Sequence, residues 1–330
     1  MERVFPCTCR PDGHLETDMI YLQLALGFVL LVAGGEALVR GAVSLAARLK
    51  VSPLLIGLTL VGFGTSTPEL VTSLQAAFDG YPGIAVGNVV GSNTANILLI
   101  LGVAAMITPM SLARKGFLRD GIALAAATAL CAGVVLYGAL DRSLGAIFLA
   151  GLFVYLGVAY LSDRENTARA AEIDGVSHID ALPGSNRMAF ALAVGGIGIT
   201  ILGARLAVDA AVVLAGLWGI SETVVGLTIV AVGTSLPELV TSVMAALRRE
   251  QGIAFGNVVG SNIYNILGIL GVTAVVKPIA VPPQIAQFGI WVMGAATLGL
   301  IAVVGATQRI SRGVGLLSLG AYAGYIYWLV

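Results

Sequence analysis

Charge is scarce in this sequence. Only 11% of its 330 residues are Asp, Glu, Lys or Arg, whereas about 25% is typical of soluble domains. So few charged side chains cannot cover a surface that faces water, which excludes an ordinary soluble globular protein. The formal net charge is +0 and no basic run is present, which argues against a nucleic acid or an acidic protein as a partner.

Cysteine and histidine are also scarce. Cys7, Cys9 and His14 fall in a polar head, and Cys131 lies inside an apolar run. Cys7, Cys9 and His14 are three candidate ligands, whereas a structural zinc site usually has four. We therefore interpret residues 1–18 as a polar N-terminal tail rather than a metal clip. The tail also lacks the apolar core of a secretory signal.

Apolar residues make up 58% of the chain, in runs long enough to cross a bilayer, which takes about 20 residues. Charged or Gly/Pro-containing stretches divide these runs into ten segments. The sequence therefore predicts an all-α integral membrane protein with ten transmembrane helices. They are expected near residues 20–40, 52–78, 83–108, 117–138, 144–161, 187–210, 221–247, 252–275, 283–305 and 312–329.

One long polar connection, residues 162–186, separates five segments in residues 19–161 from five in residues 187–330. It has too few apolar residues to form a domain, so we interpret it as a linker. Loops on the linker's side of the membrane carry 13 Lys and Arg residues, and loops on the other side carry 4. Because positively charged loops stay in the cytoplasm, we expect a multi-pass protein of the cell inner (plasma) membrane. Its linker should be cytoplasmic and both termini should be outside.

The two groups of segments repeat one another. Residues 57–73 read GLTLVGFGTSTPELVTS and residues 226–242 read GLTIVAVGTSLPELVTS, and residues 83–101 match residues 252–270 in the same way. All aligned positions are 169 residues apart. Five spans is an odd number, so the second half enters the membrane upside down relative to the first. Such inverted repeats occur in secondary transporters, which place the substrate site between the halves near the bilayer midplane.

Each repeat carries a glutamate in mid-span, Glu69 and Glu238. A charge at this depth costs about 2.5–3.5 kcal/mol on insertion scales, so both residues need a reason to be there. A salt bridge would need a cation at similar depth. The only candidate outside the loops, Arg205, has Asp209 one turn away and lies in a different span. We therefore favour cation binding over a structural ion pair.

The neighbouring residues favour a cage of hard oxygen ligands. Thr65 and Ser66 lie one turn before Glu69, at i,i+4 and i,i+3 spacing. Pro68 has no N–H, so the helix should break there and leave the carbonyl of Gly64 unpaired. Hydroxyl, carboxylate and carbonyl oxygens suit Ca²⁺ or Na⁺. The second repeat has the same arrangement at Gly233, Thr234, Ser235, Pro237 and Glu238.

Polar residues spaced by four line one stripe of each following span. The stripes consist of Asn88, Ser92 and Asn96 in the first half and of Asn257, Ser261 and Asn265 in the second. Asn93 and Asn262 fall off the stripes, so we expect them to form hydrogen bonds between helices.

Two opposite-charge pairs occupy repeat-equivalent positions of the first and sixth predicted spans. They are Glu36 with Arg40 and Arg205 with Asp209. Their i,i+4 spacing predicts local ion pairs near the helix ends rather than a role in transport.

The paired motifs GTSTPEL–GNVVGSNTAN and GTSLPEL–GNVVGSNIYN resemble the two alpha repeats of the cation/calcium exchanger superfamily, in its prokaryotic sodium/calcium exchanger branch. The resemblance covers all ten predicted spans in order. It implies a core of spans 2, 3, 7 and 8, across which spans 1 and 6 slide. Carried over position by position, it implies calcium ligation by Thr65, Glu69, Thr234 and Glu238.

The resemblance also implies two sodium sites that flank the calcium ligands. One would use Ser66, Ser92 and the carbonyl of Gly62. The other would use Ser235, Ser261 and the carbonyl of Ala231. Asn96 and Asn265 would lie beside the central site.

The chain departs from the family at one point, since members often place Asp at one or both positions matching Asn96 and Asn265. With Asn at both, Glu69 and Glu238 supply the only two charges. One Ca²⁺ would neutralise them and three Na⁺ would leave +1, so exchange in that ratio would move net charge.

The resemblance implies a secondary antiporter that exchanges Na⁺ for Ca²⁺ by alternating access, with both ions as substrates, no cofactor and no enzymatic activity. The alternative is a proton- or potassium-linked cation antiporter on the same fold. An intramembrane hydrolase would need a nucleophile–base pair or a metal-binding His, and a channel fits two broken, carboxylate-bearing helices less well. The lipid bilayer is the expected environment, and nothing indicates an obligatory protein partner.

The charge bias of the loops predicts which side of the membrane each loop faces. Cysteines introduced by Ala170→Cys and Ala280→Cys should react with a membrane-impermeant maleimide from opposite sides, position 170 from the cytoplasm. Intact cells and inside-out vesicles provide the comparison. Labelling of both positions from the same side would contradict the inverted repeat.

Overall fold

The computed structural model describes residues 13–173, 185–218, 231–281 and 283–329, and these residues are mostly helical. The helices are α1 (Gly13–Leu49), α2 (Pro53–Thr65), α3 (Thr67–Phe78), α4 (Pro82–Ile107), α5 (Arg114–Tyr137), α6 (Arg142–Ile173), α7 (Asn186–Leu217), α8 (Ala231–Thr234), α9 (Leu236–Leu247), α10 (Gln251–Val276), α11 (Pro283–Gln287), α12 (Gly289–Thr307) and α13 (Arg312–Leu329).

Seven of the described helices are long and apolar enough to cross a membrane, and the bent pair α2–α3 raises the number to eight. The seven are α1, α4, α5, α6, α7, α10 and α12. Large apolar side chains such as Leu22, Phe153 and Leu317 are exposed on the outer faces of the helices. The prediction of an all-α membrane protein is thus confirmed. Helix α13 lies at the tenth predicted span, and the seventh, 221–247, is described only from residue 231.

Two short strand pairs join loops from the two halves of the chain. Strands β1 (Met110–Ser111) and β4 (Arg309–Ile310) pair antiparallel, and so do β2 (Ala139–Leu140) and β3 (Ile279–Ala280). Strand β1 precedes α5 and strand β2 follows it. The two strand pairs therefore fasten the halves together at opposite ends of this helix.

Helices α1 and α7 are in backbone contact along their length because glycines face the partner helix. A Cβ on Gly34 would lie 2.6 Å from the backbone N of Thr200, and one on Gly203 would lie 2.6 Å from that of Leu31. A Cβ on Gly196 would lie 2.4 Å from the N of Leu38. Small residues permit such close approach in membrane helices, so α1 and α7 form a tightly packed unit.

Helix α2 is equally close to α10. A Cβ on Gly256 would lie 2.6 Å from the carbonyl oxygen of Leu54, and one on Gly260 would lie 2.4 Å from that of Leu58. The contact brings the broken span of the first half against the second half, where the candidate site lies.

The N-terminus of α2 is anchored to α6. Ser52 caps α2, since its Oγ accepts a hydrogen bond from the backbone N–H of Leu55 at 3.1 Å. Asp163 accepts hydrogen bonds from the Ser52 N–H, at 2.9 Å, and from the Ser52 hydroxyl. The sequence placed Asp163 in the linker 162–186, but α6 continues to Ile173. Good helix formers in this stretch, including several Ala and Glu residues, explain why the helix outlasts the apolar run.

The other predicted boundary also shifts. Helix α1 begins at Gly13. Residues 13–18, the last part of the predicted tail 1–18, are therefore helical. Cys7 and Cys9 of the alternative metal clip lie outside the described residues.

The α1–α7 contact yields a stability prediction. Gly196→Ala should lower the thermal midpoint of the detergent-solubilised protein, because its Cβ would overlap the Leu38 backbone N, and overpacking typically costs about 1–3 kcal/mol. Gly198→Ala is the matched control, because it lies on the same helix and its Cβ would meet nothing within 4 Å. Equal midpoints for the two variants would show that α1 and α7 are not packed in this way.

Candidate functional site

The site begins at two breaks in the helices. Helices α2 and α3 meet at Ser66 with a bend of 44°, and helices α8 and α9 are separated by Ser235. Pro68 and Pro237 stand in the first turn after each break, where a missing N–H costs no helical hydrogen bond. The predicted helix breaks are therefore present.

The carbonyl expected to be free at the first break is paired. The Gly64 oxygen accepts a hydrogen bond from the Thr67 hydroxyl at 2.9 Å, which corrects the prediction. A hydroxyl just past the break can fold back on the carbonyl that proline leaves behind. The Gly62 oxygen accepts hydrogen bonds from the Ser66 N–H and from the Ser261 hydroxyl, each at 3.2 Å.

The two breaks hold each other's glutamates. The Ser66 hydroxyl donates to Oε1 of Glu238 at 2.8 Å, and the Ser235 hydroxyl donates to Oε1 of Glu69 at 3.1 Å. Both carboxylates are fully buried. Each glutamate thus belongs to one half of the chain and is oriented by a serine of the other half.

An asparagine fixes the backbone beneath each glutamate. The Asn88 amide donates to the carbonyl of Glu69 at 3.1 Å and to the Ser73 hydroxyl at 3.0 Å. In the other half, Asn257 donates to the Glu238 carbonyl at 3.1 Å and to Ser242 at 2.8 Å. Asn88 and Asn257 therefore position the site through the backbone, and Asn257 also accepts a hydrogen bond from the Thr65 hydroxyl at 3.2 Å.

Four asparagines join α4 to α10 across the middle of the protein. Asn93 and Asn262 each donate to the other's backbone carbonyl, at 3.1 and 3.4 Å. Their side-chain oxygens accept hydrogen bonds from Asn265, at 3.1 Å, and Asn96, at 2.9 Å. As expected, Asn93 and Asn262 bridge helices, and they also fix the amides of Asn96 and Asn265.

The consequence is a symmetric set of unpaired acceptors. Among the described residues, Oε2 of Glu69 and Glu238 and Oδ1 of Asn96 and Asn265 are buried without a hydrogen-bond donor. Buried acceptors without partners are costly and call for an explanation. The four atoms form two pairs at the 169-residue offset of the repeat. A repeated, oriented set of oxygens fits a bound hard cation better than four separate packing defects.

The electrostatics agree with a cation. The two carboxylates lie near one another, because each accepts a hydrogen bond from the serine that precedes the other glutamate by three residues. The three ion pairs among the described residues involve other carboxylates. A divalent cation between two glutamates would supply the missing positive charge, and amide oxygens would complete its ligands.

The remaining predicted ligands lie around this centre. Thr234 lies beside the Glu69 carboxylate and Thr65 beside that of Glu238. The Ser92 hydroxyl accepts a hydrogen bond from the Asn265 amide at 3.2 Å. The family resemblance implied one set with the Gly62 carbonyl and Ser92 and an opposite set with Ser261, whereas the structure brings Gly62 and Ser261 together. Ala231 begins α8 at the edge of the described residues.

Two features of the site were not predicted from the sequence. One is the serine pair Ser73 and Ser242, whose i,i+4 spacing from the glutamates and presence in both repeats could have revealed it. The other is a set of π-helical turns, at Asn96–Ile100 and Tyr264–Leu270, on the helices that carry the asparagines. π-helical turns often occur at functional sites, but no residue pattern in this sequence distinguishes them from α-helix.

Comparison with known families gives one match across both halves. The model of the family described as sodium/calcium exchanger protein matches residues 19–161 and again residues 188–330. Together the two segments cover most of the chain, including every residue of the site described above.

Named relatives and solved structures agree. The sodium/calcium exchanger MaX1 of Methanosarcina acetivorans is 35% identical over 93% of this chain and 97% of its own length. The inner membrane protein YrbG of Escherichia coli is 37% identical over 93% of this chain and 94% of its own. The structure of the sodium–calcium exchanger NCX_Mj soaked with zero Na⁺ and Ca²⁺ superimposes with a TM-score of 0.80 at 30% identity, covering 95% of this chain and 100% of that one.

The unpaired acceptors yield a binding prediction. Ca²⁺ should raise the thermal midpoint of the parent but not that of Glu69→Gln. At a Ca²⁺ concentration of about a hundred times the dissociation constant, binding should stabilise the parent by about 2.7 kcal/mol. Without Ca²⁺, Glu69→Gln should be at least as stable as the parent, because a buried carboxylate facing another is costly. Asp18→Asn, at an exposed carboxylate outside the site, should retain the Ca²⁺ response. A Glu69→Gln protein with the parent's response would refute the site.

Proposed function

This chain belongs to the sodium/calcium exchanger family and is therefore a multi-pass membrane transporter rather than an enzyme, and we propose that it exchanges Na⁺ for Ca²⁺ by alternating access. The family needs no cofactor, and the two ions are substrates. The observation that carries the proposal is the symmetric set of unpaired oxygens on Glu69, Glu238, Asn96 and Asn265.

The charge of the site favours a divalent ion in exchange for several monovalent ones. Two carboxylates match one Ca²⁺, and Na⁺ ions at the same oxygens would have to number at least two to neutralise them. We propose that flanking oxygens take the additional Na⁺, namely those of Gly62, Ser66, Ser92, Ala231, Ser235 and Ser261. Both ions prefer such hard oxygen ligands.

Alternating access follows from the construction of the site by both halves. We propose that the protein has ten transmembrane helices in two inverted repeats of five. The separate match of the family model to each half supports this arrangement, as do the hydrogen bonds that recur at the 169-residue offset. In such transporters, movement of one bundle against the other exposes a midplane site to each side in turn.

The remaining parts of the proposal concern location and chain organisation. We place the protein in the cell inner membrane with residues 162–186 in the cytoplasm and both termini outside, supported by the Lys and Arg bias of the loops. We retain residues 19–161 and 187–330 as the two repeats.

Proteoliposomes distinguish the coupling ions. With Na⁺ inside and ⁴⁵Ca²⁺ outside, we expect Ca²⁺ uptake that stops when the Na⁺ gradient is removed and that responds to membrane potential. An imposed H⁺ or K⁺ gradient alone should drive no uptake above that of Glu238→Gln liposomes. Uptake driven by H⁺ or K⁺ alone, with no response to Na⁺, would replace the proposal by the proton- or potassium-linked alternative.

A further inference from the structure

Ion pairs hold the C-terminal half of α1 against a helix that carries the site. The Glu36 carboxylate accepts a hydrogen bond from Arg40 on its own helix at 2.5 Å, and one from Nε of Arg248 at 2.6 Å. A second guanidinium nitrogen of Arg248 also contacts it. Arg248 is the C-cap residue of α9. Glu36 therefore fastens α1 to the end of the helix that begins beside Glu238.

The equivalent residues of the other repeat carry opposite charges. At the offset of 169, Arg205 replaces Glu36 and Asp209 replaces Arg40. The counterpart of Arg248 is Asp79, which is the C-cap residue of α3. The charge is reversed at all three positions. Each group of three therefore has one charged residue and two residues of the opposite charge that can pair with it.

The general bias of membrane topology accounts for only part of this reversal. In the proposed orientation, Arg40 and Arg248 lie at the cytoplasmic end, where positive residues gather. Arg205 lies at the outer end, which this bias disfavours. Complementarity to Asp79 and Asp209 accounts for an arginine there.

Ion pairs join the charged residues of one group, Glu36, Arg40 and Arg248, but not those of the other group in the part of the chain that the structure describes. Arg205, Asp209 and Asp79 are exposed, and no ion pair joins them among the described residues. This corrects the predicted local pair of Arg205 with Asp209. The predicted pair of Glu36 with Arg40 is present, but it lies within α1 rather than near the helix end. Glycine contacts make α1 and α7 one unit, so a movement that opens one group can close the other.

We propose that these six residues form two alternating latches that position the α1–α7 unit during transport. The inner latch, Glu36 with Arg248 and Arg40, holds the arrangement described. The outer latch, Arg205 with Asp79 and Asp209, closes in the opposite arrangement. The inference rests on the proposed alternating access, because two inverted halves of the same fold can exchange conformations. Partly exposed ion pairs shift an equilibrium by only about two- to fivefold each, so neither latch locks the protein.

Disulfide trapping tests the outer latch directly. In a background with Cys7→Ser, Cys9→Ser and Cys131→Ala, the pair Arg205→Cys with Asp79→Cys should form a disulfide in membranes supplied with Na⁺ or with Ca²⁺. The pair Glu36→Cys with Arg248→Cys should also do so. A control pair from opposite ends, Glu36→Cys with Asp79→Cys, should not. A 79–205 disulfide yield no higher than this control under both ions would overturn the proposal.

A charge variant tests the coupling between the latches without relying on transport. Adding Glu36→Gln to the 79–205 cysteine pair opens the inner latch and should raise the disulfide yield about two- to fivefold. Arg187→Gln, an exposed charge near the start of α7, should leave the yield unchanged. An unchanged yield with Glu36→Gln would show that the two groups are independent. Because no gradient is imposed, failure of Na⁺-driven uptake in proteoliposomes would leave this result interpretable.

Discussion

The structure depends on a reciprocal contact in which each half of the chain orients the other's buried carboxylate. Ser66 holds Glu238 and Ser235 holds Glu69, at 2.8 and 3.1 Å. A serine hydroxyl satisfies only one oxygen of a carboxylate, so the other remains available to a ligand. Neither half has a complete site alone. The packing of α2 on α10 and the strand pairs between loops can be understood as what keeps these two contacts in register.

The asparagines solve a problem that the carboxylates create. A third acidic side chain would strengthen cation binding but would also add to the repulsion in the empty site, where burial already disfavours charge. Asn96 and Asn265 offer oxygens without charge. Their N–H groups donate to the side-chain oxygens of Asn262 and Asn93, which leaves their own Oδ1 atoms without a hydrogen-bond donor among the described residues. The proposed site thus combines two charges that would attract a cation with neutral oxygens that would add ligands at a smaller electrostatic cost.

The sequence was informative wherever membrane depth or the repeat constrains a residue. A glutamate in an apolar span and a proline beside it have few explanations, which is why Glu69, Glu238 and both helix breaks could be predicted. The partners could not be, because hydrogen bonds such as Ser66 to Glu238 join positions 172 residues apart. The pairing of the Gly64 carbonyl was also missed, because the nearby Thr67 hydroxyl donates a hydrogen bond to it. Hydropathy placed the end of α6 too early because it does not register a helix that continues through charged residues to Ile173.

The comparison of the two halves separates residues of the proposed ion site from residues of the proposed latches. The glutamates, serines and asparagines of the site are the same in both halves, as expected if the proposed central ion contacts both. At the latch positions the halves differ in sign, with Glu36 and Arg248 in one latch and Arg205 and Asp79 in the other. Identical charges at both ends would also allow two latches. The reversal of charge also leaves more positive charge at the inner latch than at the outer one. The same charge pattern can therefore satisfy the topological bias of the membrane and supply a reversible contact on each side.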